Sequence, residues 1–258
     1  MARFDRIEYD SPDDESPELL GSRESEAGEA AWLRKADDQR RRGHYDNALR
    51  YYSRALELDK SIVAGWLGQI QMLVLLEEYD EAELWARKSL EIFKGQGDLM
   101  AARAQALGRV GDVRQAVELS DASLRQEGQS AFRWAVRGEL MIAGRDDLDR
   151  HCFDKAVQLN GDWLVPMEIA LVYLARKVPS KALVRARDAV DRSPDQFYAW
   201  YVQGLAEQAL DMAPQAVRSY ERCLQLCPNH IEAGRRLTEL AVRGSWLGRG
   251  LRRLLGRD

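Results

Sequence analysis

The side chains best suited to chemistry in this chain are few and scattered. Three cysteines (Cys152, Cys223 and Cys227) and three histidines (His44, His151 and His230) make up the whole supply of soft metal ligands and nucleophile–base pairs. Cys223 and Cys227 lie four apart, on one face of a helix. A structural zinc site needs four such ligands, and His230 is the only further one within reach. The pair therefore reads as two small apolar core residues. The histidines fall in different stretches of the chain, His44 in a turn and His230 just before a closing helix, each without a paired nucleophile. There is no phosphate-cradling glycine loop, no nucleophile elbow and no HExxH. Acid–base or metal chemistry needs convergent groups in a cleft. The expectation is a protein with no catalytic centre, no metal and no cofactor.

Composition narrows the class further. Hydrophobic residues make up 45% and charged residues 31%, with a formal net charge of −4. That near-balance argues against a large non-specific nucleic-acid surface, which requires a basic excess. Leu, Ala, Arg and Glu dominate, all good helix formers. An odd cysteine count with no secretory leader suggests a reducing compartment. No apolar run approaches the length of a membrane span. A soluble, cytoplasmic chain is expected.

The elements that position these residues repeat. The tetrapeptides YDNA (ending at Ala48), YDEA (Ala82), VRQA (Ala116), the DLD ending at Asp149, PSKA (Ala182) and APQA (Ala216) step by 34, 34, 33, 33 and 34 residues. Trp32, Trp66, Trp134 and Trp200 stand about sixteen residues before four of these positions. Met100 and Pro166 fill the same slot in the other two. Ala55, Ser89, Ser123, Ala156, Ala189 and Cys223 follow seven residues after each. Small residues recurring in register mean close helix contact. Within ALRYYSRALEL, Ala48, Tyr52, Ala55 and Leu56 share one helical face. Gly43, Gly111 and Gly144 suit the turns. Pro179 and Pro214 come early in a helix, where the missing N–H costs little.

This pattern of Trp, then Gly or Ala, then Gly-x-Tyr, Ala, an aromatic, Ala and Pro resembles the tetratricopeptide repeat. The match is fullest in Trp32, Gly43, Tyr45, Ala48, Tyr52 and Ala55, and in Trp200, Gly204, Ala216, Tyr220 and Pro228, and it covers roughly residues 29 to 230. The resemblance implies an all-α, right-handed superhelical solenoid of about six helix-turn-helix repeats. One hairpin cannot bury its apolar face alone, so neighbours must stack. Residues 231 to about 242 read as a capping helix, with Glu232, Arg235, Arg236 and Glu239 as its polar outer face.

The organisation expected is a disordered acidic tail over 1–28, a solenoid with its cap over 29–242, and a basic tail over 243–258. Residues 1–30 carry ten acids against three arginines, too polar to build a core. Residues 243–258 carry five arginines and one aspartate. As a helix this second tail is amphipathic, with Trp246, Leu247, Leu251, Leu254 and Leu255 on one half and Arg249, Arg252, Arg253 and Arg257 on the other. Such a helix can lie on an anionic membrane or dock on a partner, or simply pack as a last helix. Gly244, Gly248, Gly250 and Gly256 weaken it.

The resemblance also implies a function: an adaptor or scaffold that binds a protein partner along the groove lined by the first helix of each repeat. The family's contact positions fall on Phe132, Met167, Leu171, Leu174, Tyr198, Tyr201 and Leu205 in repeats four to six, an apolar and aromatic stretch. In repeats one to three they fall on small or polar residues such as Asp37, Arg40, Gln71 and Gln105. Packing against the adjacent repeat is the alternative role for the apolar set. The Lys/Asn/Arg clamp with which one subtype holds chaperone C-termini is missing, its slots holding Leu33, Asp37, Gly68, Asp98 and Ala102. A rival function is membrane-proximal assembly through the basic tail, peripheral to the bilayer. The partner's identity and the oligomeric state are not encoded legibly.

Overall fold

The computed structural model describes residues 28–142 and 147–254, with side chains as far as Val242. The acidic tail expected over 1–28, except its last residue, lies outside the described residues, as does Gly144. The described residues form thirteen α-helices and no strands: α1 (Glu29–Arg41), α2 (Tyr45–Leu58), α3 (Val63–Leu75), α4 (Tyr79–Ile92), α5 (Gly97–Val110), α6 (Val113–Leu124), α7 (Ala131–Met141), α8 (Leu148–Leu159), α9 (Leu164–Ala175), α10 (Pro179–Arg192), α11 (Phe197–Ala209), α12 (Ala213–Leu226) and α13 (Ile231–Leu254). Consecutive helices pair into six hairpins, each hairpin packs on the next, and α13 packs on α12. This is the expected all-α solenoid of six repeats with a closing helix.

The two helices of a repeat do different work. The second helices are amphipathic and bury one stripe each, as α2 does with Ala48, Tyr52, Ala55 and Leu56. The first helices, α1 excepted, are enclosed on most sides. In α3 every residue from Gly68 to Val74 is buried, including Gln69 and Gln71, as a helix apolar around its circumference must be. First helices therefore form the inner layer, and α3, α5, α7, α9 and α11 pack on one another in succession.

The contact within each hairpin is set by volume. The residue four past the tryptophan slot faces the residue sixteen further on, fifteen in the shortened fourth repeat. Where the second is aromatic the first is small. A Cβ on Gly138 would stand 2.8 Å from the Phe153 ring, and one on Gly204 only 2.5 Å from that of Tyr220. Ala36 meets Tyr52 in one core cluster. Where the second is small the first can be larger, as Ile70 with Ala86, or small as well, as Ala170 with Ala186. Interiors packed to crystal density reward such matching. The tryptophans divide: Trp32 and Trp66 are buried, Trp134 and Trp200 half-buried. The indoles of Trp66 and Trp200 each donate to a carbonyl six residues back, Lys60 and Pro194, at 2.9 Å.

The turn between paired helices needs one residue in the left-handed region. Gly43 (φ 75°) and Gly111 (φ 113°) supply it, but so do Glu77 (φ 64°), Lys177 (φ 59°) and Asp211 (φ 56°). The turn itself thus tolerates a Cβ.

Repeat four departs from the pattern at Asp149, which replaces the alanine of the other repeats and is 2% exposed. Its carboxylate accepts from the Tyr173 hydroxyl at 2.8 Å and from Lys181 Nζ at 2.9 Å. Burial pushes the carboxyl pKa up, but hydrogen bonds from Lys181, Tyr173 and the backbone N–H of Arg150 more than offset it, so the group titrates below its ordinary range. Restoring the consensus with Asp149→Ala strands a buried tyrosine hydroxyl, at about 1–3 kcal/mol. A thermal melt at pH 7 should fall by several degrees, and less for Asp149→Asn. Because the folded pKa is depressed, the wild-type advantage is present above the ordinary carboxylate range and disappears as pH falls through the folded value. An alanine variant as stable as wild type at pH 7 contradicts this role.

Candidate protein-binding face

The inner layer carries the candidate site, and its side chains are largely spoken for. Met167 is fully buried, and Tyr198 and Tyr201 are 7% and 8% exposed. Phe132, Leu171, Leu174 and Leu205 are half-buried. Met167, Tyr198 and Tyr201 belong to one core cluster, with Leu171, Leu174 and Leu205 packed against it. Phe132 is apart, packed on α5 beside Leu99, Ala101, Ala102 and Ala104. Of the two roles the sequence left open for this apolar set, packing accounts for Met167, Tyr198 and Tyr201 in this arrangement of the chain. Tyr201 stacks on Tyr198 at 5.7 Å and lies against His230 at 4.7 Å, because α13 and the turn before it fold over the end of α11. Burial pushes the Tyr198 hydroxyl pKa up to about 12.

What covers Tyr198 from the other side is the first repeat. The turn between α1 and α2 reaches across the inner face to α9 and α11. Arg40 forks onto Glu168, with Nε donating to Oε1 at 2.7 Å and Nη2 to Oε2 at 2.8 Å, while Nη1 donates to Gln71 Oε1 at 2.7 Å. Burial alone would lower the guanidinium pKa, but Glu168 more than offsets it and keeps the group charged. Arg41 forks onto Asp162 and lies over the Trp163 ring. The Tyr45 and Tyr198 hydroxyls are 3.2 Å apart, and their rings meet edge to face. These partners are 121 to 153 residues apart in sequence. Nearest-neighbour stacking gives no hint of them; the only trace is the run Arg40-Arg41-Arg42.

The polar slots of the middle repeats also pair among themselves. Glu139, 3% exposed, accepts from Gln105 Nε2 at 2.9 Å and from Arg176 at 3.0 Å, and is paired with Arg109. Glu207 is equally enclosed, accepting from Ser219 Oγ at 2.6 Å and Gln203 Nε2 at 3.1 Å. It floors a cavity of about 540 Å³ between α10, α11 and α12, bordered by Arg187, Arg218, Arg222 and Trp200. A buried carboxylate needs such partners, and each of these was invisible in the repeat pattern.

The residues weighed for chemistry are dispersed. Cys152 and Cys223 are buried and Cys227 half-buried, all as free thiols. Burial pushes the Cys223 thiol up to about 12. No cluster of three or more His, Cys, Asp or Glu with metal-binding geometry occurs among the described residues, and no helix among them is long and apolar enough to cross a membrane. The closing helix continues across position 243. α13 runs unbroken for 24 residues to Leu254, about 36 Å at 1.5 Å per residue, through Gly244, Gly248 and Gly250. Its first half caps the stack with Ala233 and Leu240 buried and Arg235 paired with Glu232 and Glu239 outside. Placement of the Trp246, Arg249, Arg252 and Arg253 side chains lies outside the described residues.

A tetratricopeptide repeat family model matches residues 33–97. A thermophilic tetratricopeptide repeat protein of Thermus thermophilus superposes with a TM-score of 0.54, at 17% identity, over 71% of this chain and 99% of its own. A tetratricopeptide repeat protein from Parabacteroides merdae superposes at 0.50, with 15% identity, over 87% of this chain and 89% of its own. A chain of the APC/C hetero-tetramer Cut9-Hcn1 aligns with 86% of this chain at 16% identity and a TM-score of 0.49; this chain spans 44% of that one. No curated protein matches the sequence. Residues 33–97 thus match the tetratricopeptide repeat family, which is typically non-catalytic and generally mediates protein–protein and peptide binding, and the six stacked hairpins share the fold of solved tetratricopeptide repeat proteins.

His230 makes the capped end sensitive to pH. Its Nδ1 accepts the backbone N–H of Ala233 at 3.1 Å, closing the first turn of α13. Its ring is packed by Phe197, Tyr198 and Tyr201. Burial lowers its pKa, His44 adds to this, and Glu232 partly opposes it. The unfolded chain therefore takes up the proton first, so stability is full above about pH 6.5 and declines as pH falls from there toward the folded value. His230→Asn keeps a capping acceptor without the titration. Its melting temperature should vary less between pH 7.5 and 5 than that of wild type; an identical pH profile would remove His230 as the cause.

Proposed function

We propose that the protein is a cytoplasmic, non-catalytic adaptor that holds a segment of a partner protein against the inner face of its C-terminal repeats. The observation that carries this reading is the docked α1–α2 turn. The surface of α9 and α11 already receives a remote piece of polypeptide through two forked ion pairs and an aromatic contact. A face that accepts one such segment has the recognition chemistry to accept another. The family's general role in protein and peptide binding points the same way. Met167, Tyr198 and Tyr201 form the floor of the proposed site, Leu171, Leu174 and Leu205 are its half-buried flank, and Phe132 extends it toward α5. Affinity purification with mass spectrometry would identify the partner. Leu171→Ser combined with Leu205→Ser should then weaken capture about thirtyfold, the effect of losing about 2 kcal/mol of anchor contact, with little change in the helical circular-dichroism signal. Full-strength capture by a folded double variant places binding elsewhere.

A second reading rests on α13. The basic stretch that follows the cap continues its helix, so Trp246, Arg249, Arg252 and Arg253 can present the amphipathic pattern that lies on anionic lipid. The protein would then work as an assembly factor at a membrane surface. Sedimentation with phosphatidylserine vesicles should carry the full chain down and leave a chain with all five tail arginines replaced by glutamine in solution. Equal partitioning of both dismisses this reading.

A further inference from the structure

We propose that the turn from Arg40 to Tyr45 is an intramolecular ligand, occluding the inner face of α9 and α11 until an arginine-bearing, aromatic-bearing segment of a partner displaces it. The proposal rests on the adaptor reading and adds the chemistry of the partner and the regulation of the site.

Three observations carry it. The first is the composition of the contact. Between repeats that stack as neighbours, continuous apolar clusters underlie the ion pairs. Across the inner face the contact is two arginines on two carboxylates, with one tyrosine pair. Forked guanidinium–carboxylate pairs are specific in geometry, and their partly exposed members exchange with water more readily than a packed core. Arg40 and Glu168 retain 17% and 24% of their side-chain exposure, Arg41 and Asp162 39% and 30%. The charged half of the contact is thus open to water and to exchange, while Tyr198 lies buried beside it.

The second is Gly43. Glu77, Lys177 and Asp211 adopt the left-handed conformation at the same turn position with full side chains, so the turn does not demand glycine. A Cβ on Gly43, however, would lie 2.1 Å from Cε2 of Tyr198. At Gly111, the other glycine of this series among the described residues, a Cβ would meet nothing within 4 Å. The absence of a side chain at 43 serves the long-range contact.

The third is the receiving surface. Glu168 and Asp162 mark out two carboxylates for cations, and Tyr198 offers a ring between α9 and the cap. Among the described residues, Glu168 binds Arg40, and Asp162 binds Arg41 besides accepting the backbone N–H of Leu164. Both carboxylates thus face the docked turn rather than the helices stacked on α9. A partner segment carrying two arginines followed by a small residue and an aromatic would satisfy the same groups.

The test uses the full chain and a fluorescein-labelled synthetic peptide spanning residues 36–48 as the probe. Arg40→Glu with Arg41→Glu should unlatch the first repeat, raising the radius of gyration by small-angle scattering. The same variant should bind the probe at least tenfold more tightly than wild type, whose own turn competes. Adding Glu168→Arg to the Arg40→Glu chain should restore the compact form, which separates unlatching from misfolding; circular-dichroism melts accompany each variant. Wild type and the double variant sharing one scattering profile and one probe affinity overturns the proposal. An expanded variant that fails to bind the probe also overturns it, making the turn a brace and not an occluding ligand. Partner capture that is absent from latched and unlatched chains alike counts against the adaptor reading and leaves the latch standing.

Discussion

The architecture depends on how closely the two helices of each repeat approach. At several repeats a trade in volume across one contact lets the helices come together. Gly204 makes room for Tyr220, Gly138 for Phe153 and Ala36 for Tyr52, whereas Ile70 fills the space above Ala86. Everything on the inner face inherits its geometry from this contact.

Stacking of equal units would by itself leave two open ends. Here the two are treated differently. The C-terminal end is covered by α13, whose His230 caps its own helix while lying on Tyr201. The N-terminal repeat instead turns an edge inward, and its Arg40–Tyr45 turn settles on α9 and α11. The same inner surface is thus both scaffold and receptor for a part of the chain. Its polar groups are arranged accordingly, with Gln71 and Glu168 sharing Arg40 and with Gln105, Arg109 and Arg176 sharing Glu139.

The repeat register, the helix pairs and the capping helix were legible in the sequence because they follow from local rules: a period of 34, one apolar face, small residues at contacts, and proline early in α10 and α12. The state of the inner face was not. Tyr198 and Tyr201 stand at positions the family uses for ligands, and their spacing gives the same pattern whether the rings are free or covered. What covers Tyr198 comes from Gly43 and Tyr45, about 150 residues away, and no periodicity links those positions. Asp149 read as a lapse from the alanine pattern. Only with Tyr173 and Lys181 beside it does it become a paired buried charge. Exceptions to a repeat carried more information than its matches, but the partner needed to interpret each one lay in another repeat.

The joining of the first repeat to the fifth and sixth alters how the array comes apart. In an open row of repeats, stability is a sum of neighbour terms, and the terminal units fray independently of one another. The ion pairs of Arg40 and Arg41 make the two regions report on each other: loosening α1 uncovers α11, and loosening α9 releases α1. Amide-exchange protection would therefore be shared between segments more than 120 residues apart in sequence, and the row would open as a larger cooperative unit than its nearest-neighbour contacts alone provide.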